Sequence, residues 1–341
     1  MDFSVIIPSY NDGALLARCL QSLCRLDTDQ RWELVVALDG STDGSAALLR
    51  RGMGWPGADG GPLSTLVESG GWRALPLVLV ELSTNRGRSA ARNAALARAR
   101  GKHRLFLDAD LRVGPDWAEA LLAMAQSSRC VVVGEMVYET DPAAPLDLAL
   151  VEGQAAAEAA RRSGLKAYQR YLETRGPWKY REGGAMPGRY FYTCNSCVPA
   201  QLLEKAGPFD ERLRGWGGED MDMGLRLEAA GAEMVYCRQA RALHAQERSF
   251  SAHCANLERM GREALPLLVE RHPALLDELQ LTRLLPPHPQ GVLEAAWRLG
   301  LHRLLVALDA MGLPLGERLY NLAVFLHYAG GFRQAAIHTQ S

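Results

Sequence analysis

The stretch HRLFLDAD, His103–Asp110, decides the fold. Its Arg104–Leu107 part is a short apolar run of the kind that makes a buried central strand, and it ends on two carboxylates separated by one small residue. In an open, mostly parallel α/β sheet, the loops leaving the carboxyl ends of the strands form the ligand crevice, which is where this pair would stand. Strand alternation sends Asp108 and Asp110 the same way, so an oxygen-seeking divalent cation could join one of them to a diphosphate. Taken alone, an Asp-x-Asp is more often a surface cap for the next helix, so its meaning depends on the flanking chain.

Upstream, the chain repeats one unit. Phe3–Pro8 (FSVIIP) reads as a buried strand, Ser9–Asp12 as a turn, and Ala14–Leu23 as an amphipathic helix. Trp32–Leu38 is a second strand that runs into Asp39-Gly-Ser-Thr-Asp-Gly-Ser45, a tight turn that caps another helix. The Gly- and Pro-rich stretch 52–71 reads as a surface insertion without chemistry. Pro76–Leu82 is a third strand, followed by Asn85-Arg-Gly-Arg88 and a helix over Ala90–Ala99 with Arg92 and Asn93 near its start. Arginines at a helix N-terminus beside a sheet's carboxyl edge suit a phosphate. The βαβα alternation continues through a helix over Pro115–Ala125 and a strand over Cys130–Val137, which argues for a parallel sheet covered by helices.

Downstream, residues 140–188 form a second insertion, with a helix expected from about Leu146 to Arg162 and a loop near Gly183–Gly188 placed as a candidate lid. Phe191–Val198 returns to strand composition and Ala200–Ala206 to helix. The next unusual segment is Gly215-Trp-Gly-Gly-Glu-Asp-Met-Asp222. Its double glycine allows close backbone approach to a ligand, its tryptophan offers a face for a sugar ring, and a helix over Met221–Ala230 carries the acids at its start. Met234–Cys237 is a last expected strand, leading to Ala242-Leu-His244, whose imidazole is a potential metal ligand. The C-terminal part reads as helical. Trp297, Leu301, Leu304, Leu305 and Leu308 form a stripe, continued by Leu319, Leu322 and Phe325, that would pack on the rest of the chain, on a second copy as a homodimer, or against a membrane surface.

Composition sets limits on partners. The 341 residues are 48% hydrophobic, enough for a sizeable core, and 38 Lys and Arg against 39 Asp and Glu leave no global field to attract nucleic acid. Seven scattered cysteines read as reduced thiols, and Cys194-x-x-Cys197 lacks a second pair to complete a zinc site. No leader and no apolar run of membrane-spanning length is evident, so the expected location is cytoplasmic, with peripheral contact to the inner membrane face left open.

Together, VIIPSYND, ALDGSTDGS, NRGRSAARNAAL, LFLDAD, GPFDERLRGWGGEDMDMGLRL and ALH occur in an order and spacing that resembles the inverting glycosyltransferases of family 2 with the GT-A fold, over about residues 3–250. The GWGGED form is similar to that of bacterial chondroitin-polymerase domains and of the animal enzymes that initiate mucin glycans. The resemblance implies a Rossmann-like, mostly parallel α/β sheet as a domain over residues 1–254, with the two insertions 52–71 and 140–188, and a helical region over 255–341. It implies a nucleotide-diphospho sugar donor, with UDP as nucleotide, and a glycan, lipid-linked or protein acceptor. Pro8 and Tyr10 would line the uridine pocket, Asp39 would accept from uracil, Arg88 would lie near the diphosphate, and Asp108-Ala109-Asp110 would face ribose, sugar and metal. Asp110 and His244 would hold Mn²⁺ or Mg²⁺, Asp220 would be the general base, and Trp216, Gly218 and Glu219 would shape the sugar and acceptor site. One departure stands out: the acidic pair usual at the end of the second strand is Leu38–Asp39 here.

Two other readings stay open at this level. A sugar-phosphate nucleotidyltransferase shares an Asp-bearing α/β sheet, but its Gly-rich, Arg-containing loop after the first strand is replaced by Ser9-Tyr-Asn-Asp12. An inactive nucleotide-sugar-binding scaffold would have little reason to keep each of the acids and the histidine.

Overall fold

The computed structural model describes residues 1–52, 76–141, 144–174, 181–245, 249–284, 295–297, 299–313 and 315–338. Beyond Gly52, the expected insertion 52–71 lies outside them, as do residues 285–294 of the expected C-terminal helical region. The chain forms two compact units, one of Met1–Leu165, Arg175–Glu211 and Met223–Gln246, the other of Lys166–Thr174, Arg212–Asp222 and Glu247–Ser341.

The first unit is built on one eight-stranded sheet. Its strands are β1 (Phe3–Ser9), β2 (Trp32–Asp39), β3 (Leu77–Leu82), β4 (His103–Leu107), β5 (Leu111–Val113), β6 (Cys130–Tyr138), β7 (Asn195–Pro199) and β8 (Glu233–His244). Their order is β3-β2-β1-β4-β7-β6-β8-β5. The half β3-β2-β1-β4 is parallel, as the alternation of strands and helices demands. Its crossovers carry α1 (Gly13–Leu23), α2 (Ser45–Gly52) and α3 (Arg88–Leu96). Val5, Ile6, Ile7, Val35, Val36, Leu105 and Phe106 are fully or almost fully covered, because a parallel sheet flanked by helices buries both faces.

Beyond β4 the sheet is mixed. Strand β7 runs antiparallel to both β4 and β6, and β5 antiparallel to β8, while β6 and β8 are parallel. The sheet is therefore mostly parallel, as the resemblance implies, with β7 and β5 as its antiparallel members. Strand β5 is only three residues long, too short to show a period, and β8 extends to His244 instead of ending at Cys237. Helix α4 (Trp117–Met124) follows β5. The helix expected over Leu146–Arg162 is two helices, α5 (Leu148–Val151) and α6 (Ala155–Gly164), because the chain turns at Gly153 with φ +72°. Strand β7 starts at Asn195, later than expected, since a 3₁₀ turn at Gly188–Tyr190 occupies the approach. Helix α8 (Ala200–Ala206) is where the sequence places it.

The second unit contains α7 (Ala167–Thr174), the start of α9 (Glu219–Ala229), α10 (Phe250–Glu263), α11 (Leu265–Arg271), α12 (Leu275–Glu278), α13 (Leu301–Ala310) and α14 (Glu317–His338). Tyr168, Tyr171, Phe250, Cys254, Leu257, Leu305, Tyr320, Ala323 and Val324 make its core. Helices α10 and α14 cross closely enough that a Cβ on Gly261 would come within 2.0 Å of the Tyr328 carbonyl oxygen, and one on Gly331 within 2.1 Å of that of Glu258. The expected leucine stripe is only partly inside. Leu305 is buried, but Leu304 is 53% exposed and Leu319 42%, and the buried positions include His302 and His327. Stacking of His302 on Trp297 and its edge-on contact with His327 hold these two imidazoles in the interior. Among the described residues, no helix is long and apolar enough to cross a membrane.

Candidate active site

Three strand ends of the first unit bring the proposed donor-side acids and histidine together. Asp39 ends β2, Asp108 and Asp110 follow β4, and His244 ends β8. Strand pairing fixes the last two relative to each other. His244 lies opposite Leu111 in β5 and beside Tyr138 in β6, and the Ala245 amide donates to the Asp110 carbonyl at 3.0 Å. The Asp110 Oδ2 and His244 Nε2 atoms are consequently 3.1 Å apart, although 134 positions separate the residues. Asp110 Oδ1 and His244 Nδ1 are buried with no hydrogen-bond partner among the described residues. Burial acts to raise the Asp110 pKa, but His244 and then Arg88 outweigh it and hold the carboxyl below its ordinary value.

Asp108 points to a different partner. Its Oδ1 accepts from Arg92 Nη2 at 3.2 Å, and the Arg92 guanidinium sits 5.7 Å from the Phe209 ring centroid with its side chain 1% exposed. Arg92 thus braces Asp108 from inside the fold and does not present its charge to a phosphate, which corrects for Arg92 the reading of the arginines at this helix start. Asn93 is also structural: it donates to the Phe209 carbonyl at 3.0 Å and accepts from the Phe209 amide at 2.9 Å. Arg88 opens α3 and contributes positive charge toward Asp110 and Asp12. Ala109 is buried between the two aspartates.

Asp39 is 3% exposed. Its Oδ1 accepts from the Arg86 amide at 2.7 Å and its Oδ2 from the Gly87 amide at 2.8 Å. Each carboxylate oxygen keeps further lone-pair capacity, so this anchoring role is compatible with a ligand contact. Pro8 is half-buried at the end of β1 and Tyr10 is 46% exposed. The turn between them and α1 is tied to the β2–α2 turn, with the Thr42 amide donating to Asn11 Oδ1 at 2.8 Å and the Gly13 amide to Asp43 Oδ2 at 2.8 Å. Asp12 was read only as a turn residue. Burial, then Asp110 and Asp43, push its pKa up, so it belongs to the same electrostatic cluster. Its place beside a strand's carboxyl end was the available signal.

The residues Trp216, Gly218, Glu219 and Asp220 belong to the second unit. Gly218 has φ +101°, and a Cβ there would meet the Ala264 Cβ at 2.9 Å, so no larger residue fits this turn. Trp216 packs edge-on against His253 at 5.3 Å between centroids. Glu219 and Asp220 occupy the first turn of α9, Glu219 buried and Asp220 partly exposed.

One carboxylate with an orphaned buried oxygen and one imidazole nitrogen suit Mn²⁺ or Mg²⁺. Among the described residues no group of three or more His, Cys, Asp or Glu could hold a metal, so a cation on this pair would take substrate or water oxygens as further ligands. That matches the way Mg²⁺ is held through one or two protein groups plus phosphate oxygens. A cavity of about 970 Å³ lined by Trp117, Glu152, Glu182 and Arg238 contains none of these residues.

Residues 4–150 match the glycosyl transferase family 2 model, and residues 181–248 match the model described as the N-terminal domain of galactosyltransferase. The validoxylamine A glucosyltransferase of Streptomyces hygroscopicus subsp. jinggangensis is 32% identical over 291 residues, covering 81% of this chain and 62% of that protein. The glycosyltransferase YfnE of Bacillus subtilis is 28% identical over 279 residues, covering 73% of this chain and 66% of that protein. The chain spans about 60% of the length of the validoxylamine relatives it matches. Among solved structures, the mannosyltransferase PcManGT of Pyrobaculum calidifontis aligns with a TM-score of 0.58 at 20% identity, covering 96% of this chain and 85% of that one. S. aureus TarS 1–349 aligns with a TM-score of 0.52 at 16% identity, covering 100% and 92%. The parallel half-sheet, the strand-end aspartates and these matches agree: residues 4–150 are a glycosyl transferase family 2 domain, set in a GT-A fold.

Proposed function

We propose that this chain is a metal-dependent, inverting glycosyltransferase that moves a sugar from a nucleotide-diphospho donor, with UDP as the nucleotide, to an acceptor hydroxyl. The observation that carries the proposal is the Asp110–His244 pair, with its orphaned carboxylate oxygen, at the carboxyl edge of the sheet. Among solved structures with this fold, PcManGT is in complex with GDP-Man and Mn²⁺, and TarS 1–349 with UDP. The boundary near residue 254 between a transferase domain and a helical region, and a glycan, lipid-linked or protein acceptor, are parts of the same proposal.

Each residue then has a defined task. Pro8, Tyr10 and Asp39 take the base, Asp39 accepting from a ring N–H of uracil. Asp108, held by Arg92, faces the ribose and sugar, and Arg88 sets positive charge near the diphosphate. When bound to Asp110 and His244, Mn²⁺ or Mg²⁺ supplies Lewis-acid stabilisation of the charge that builds on the departing diphosphate. Asp220 accepts the proton of the acceptor hydroxyl as its oxygen forms a bond to the anomeric carbon and the bond from that carbon to the diphosphate oxygen breaks. Trp216, Gly218 and Glu219 shape the acceptor side. A single displacement inverts the anomeric centre and needs no carboxylate nucleophile, unlike retaining hydrolysis.

Incubation with UDP-, GDP- and dTDP-sugars and Mn²⁺, scored by thermal shift and by nucleotide release, tests the proposal. Stabilisation and release with a UDP-sugar support it. Formation of a nucleotide sugar from a sugar phosphate and a nucleoside triphosphate would replace it with a nucleotidyltransferase, and binding without turnover in the presence of acceptors would leave a scaffold.

A further inference from the structure

Within the second unit, a charge network around the buried Asp222 grips the turn that starts α9. Asp222 is 1% exposed. Its Oδ1 accepts from Arg271 Nη1 at 2.9 Å and from His272 Nε2 at 3.0 Å, and its Oδ2 accepts from the same Arg271 nitrogen at 3.0 Å. Its amide donates to the Gly218 carbonyl at 2.9 Å. Arg271 ends α11 and His272 follows it, while Gly218 packs against Ala264 and Leu268 at the start and middle of the same helix. Both ends of the five-residue turn Gly218–Asp222 are thus fixed by α11.

Helix capping does not require this arrangement. An acid in a first turn interacts favourably with the helix dipole while exposed to water, whereas burying a carboxylate to this depth is costly unless it is paired and hydrogen-bonded. A residue two places along a helix is rotated by about 200°, so turning Asp222 into the protein directs Asp220 away from that buried side. We infer that Asp222, Arg271 and His272 are positioning residues that set the angle at which Asp220 is presented. This inference rests on the reading of Asp220 as the base. Misplacement of a reacting group by about 1 Å can cost on the order of 10²-fold in rate, so loosening the clamp should act on turnover while donor binding in the other unit is spared.

The test uses the full chain with Mn²⁺ and whichever UDP-sugar it hydrolyses fastest, reading UDP release, donor KM and melting temperature for Arg271→Gln, Arg271→Lys and Asp220→Asn. Arg271→Gln should lower kcat by about 10- to 100-fold with donor KM within about three-fold. Arg271→Lys should recover most of that loss, because one nitrogen makes both contacts to Asp222 and an ammonium can replace it there. If Arg271→Gln does not fold, His272→Asn carries the test, and a kcat lowered about three-fold or more at unchanged KM supports the clamp. Normal kcat in the folded variants, with only a lowered melting temperature, would overturn it while a slow Asp220→Asn kept the base assignment standing. A normal rate in Asp220→Asn would remove the base assignment and this inference together.

Discussion

Asp39 holds Gly87 across two strands: its Oδ2 accepts from the Gly87 amide at 2.8 Å while its Oδ1 accepts from the neighbouring Arg86 amide at 2.7 Å. The carboxylate at the end of β2 therefore shapes the loop from which Arg88 opens α3. Asp39→Asn replaces one acceptor with a donor facing an N–H. Leaving a buried donor unsatisfied costs roughly 1–3 kcal/mol, so urea unfolding should show a loss of that size together with weaker nucleotide binding. Wild-type stability in this variant would remove the anchoring role.

The buried imidazoles of the second unit make a pH prediction. The His302 ring stacks on Trp297 at 5.8 Å and meets His327 edge-on at 4.9 Å, and His327 Nδ1 lies 3.5 Å from Glu258 Oε2, with Arg333 over the Trp297 ring. Burial lowers both histidine pKa values, helped at His302 by Arg303 and at His327 by His302, and Glu258 opposes the shift without cancelling it. The unfolded chain therefore binds more protons than the folded one at and just below the ordinary histidine value of 6.5. Their contribution to stability is complete above that value and is lost as pH falls toward the depressed folded values. The urea midpoint should drop between pH 8 and pH 5.5, and His302→Phe should reduce the drop. A midpoint flat across this range would refute the assignment.

Leu304 and Leu305 are adjacent, yet only Leu305 is buried. Leu305→Ala should cost roughly 2–5 kcal/mol, the range for emptying a packed site. Leu304→Ala should stay within about 0.5 kcal/mol, as for a surface change. Equal losses at both positions, measured by chemical denaturation, would mean that Leu304 is covered in solution.

The strongly periodic parts of the fold were legible in the sequence. Phe3–Pro8, Trp32–Leu38 and Arg104–Leu107 are apolar because both faces of their strands are covered, and each leads to a turn that carries aspartate. What escaped depends on distant pairing. Strand β5 exists because β8 lies beside it, and the antiparallel insertion of β7 between β4 and β6 leaves no local mark. At the site, the chemistry of Asp110 and His244 could be named from residue type and order, but the inward turn of Arg92 toward Asp108 could not. An arginine at a helix start reads as solvent-facing until the Phe209 ring and the Asp108 carboxylate that receive it are placed. Likewise, Asp222 looked like a helix-start acid, and only its partners 49 and 50 positions later show that it is clamped.

Calorimetric titration of UDP in the presence and absence of Mn²⁺, on the wild-type chain and on Asp110→Ala, tests the central claim most directly. The carboxylate holds the orphaned oxygen and the 3.1 Å approach to His244, so its removal should abolish the Mn²⁺-dependent part of UDP affinity and leave the metal-independent part within about three-fold, since every other proposed nucleotide contact is retained. Mn²⁺-dependent UDP binding of wild-type strength in Asp110→Ala would contradict the account.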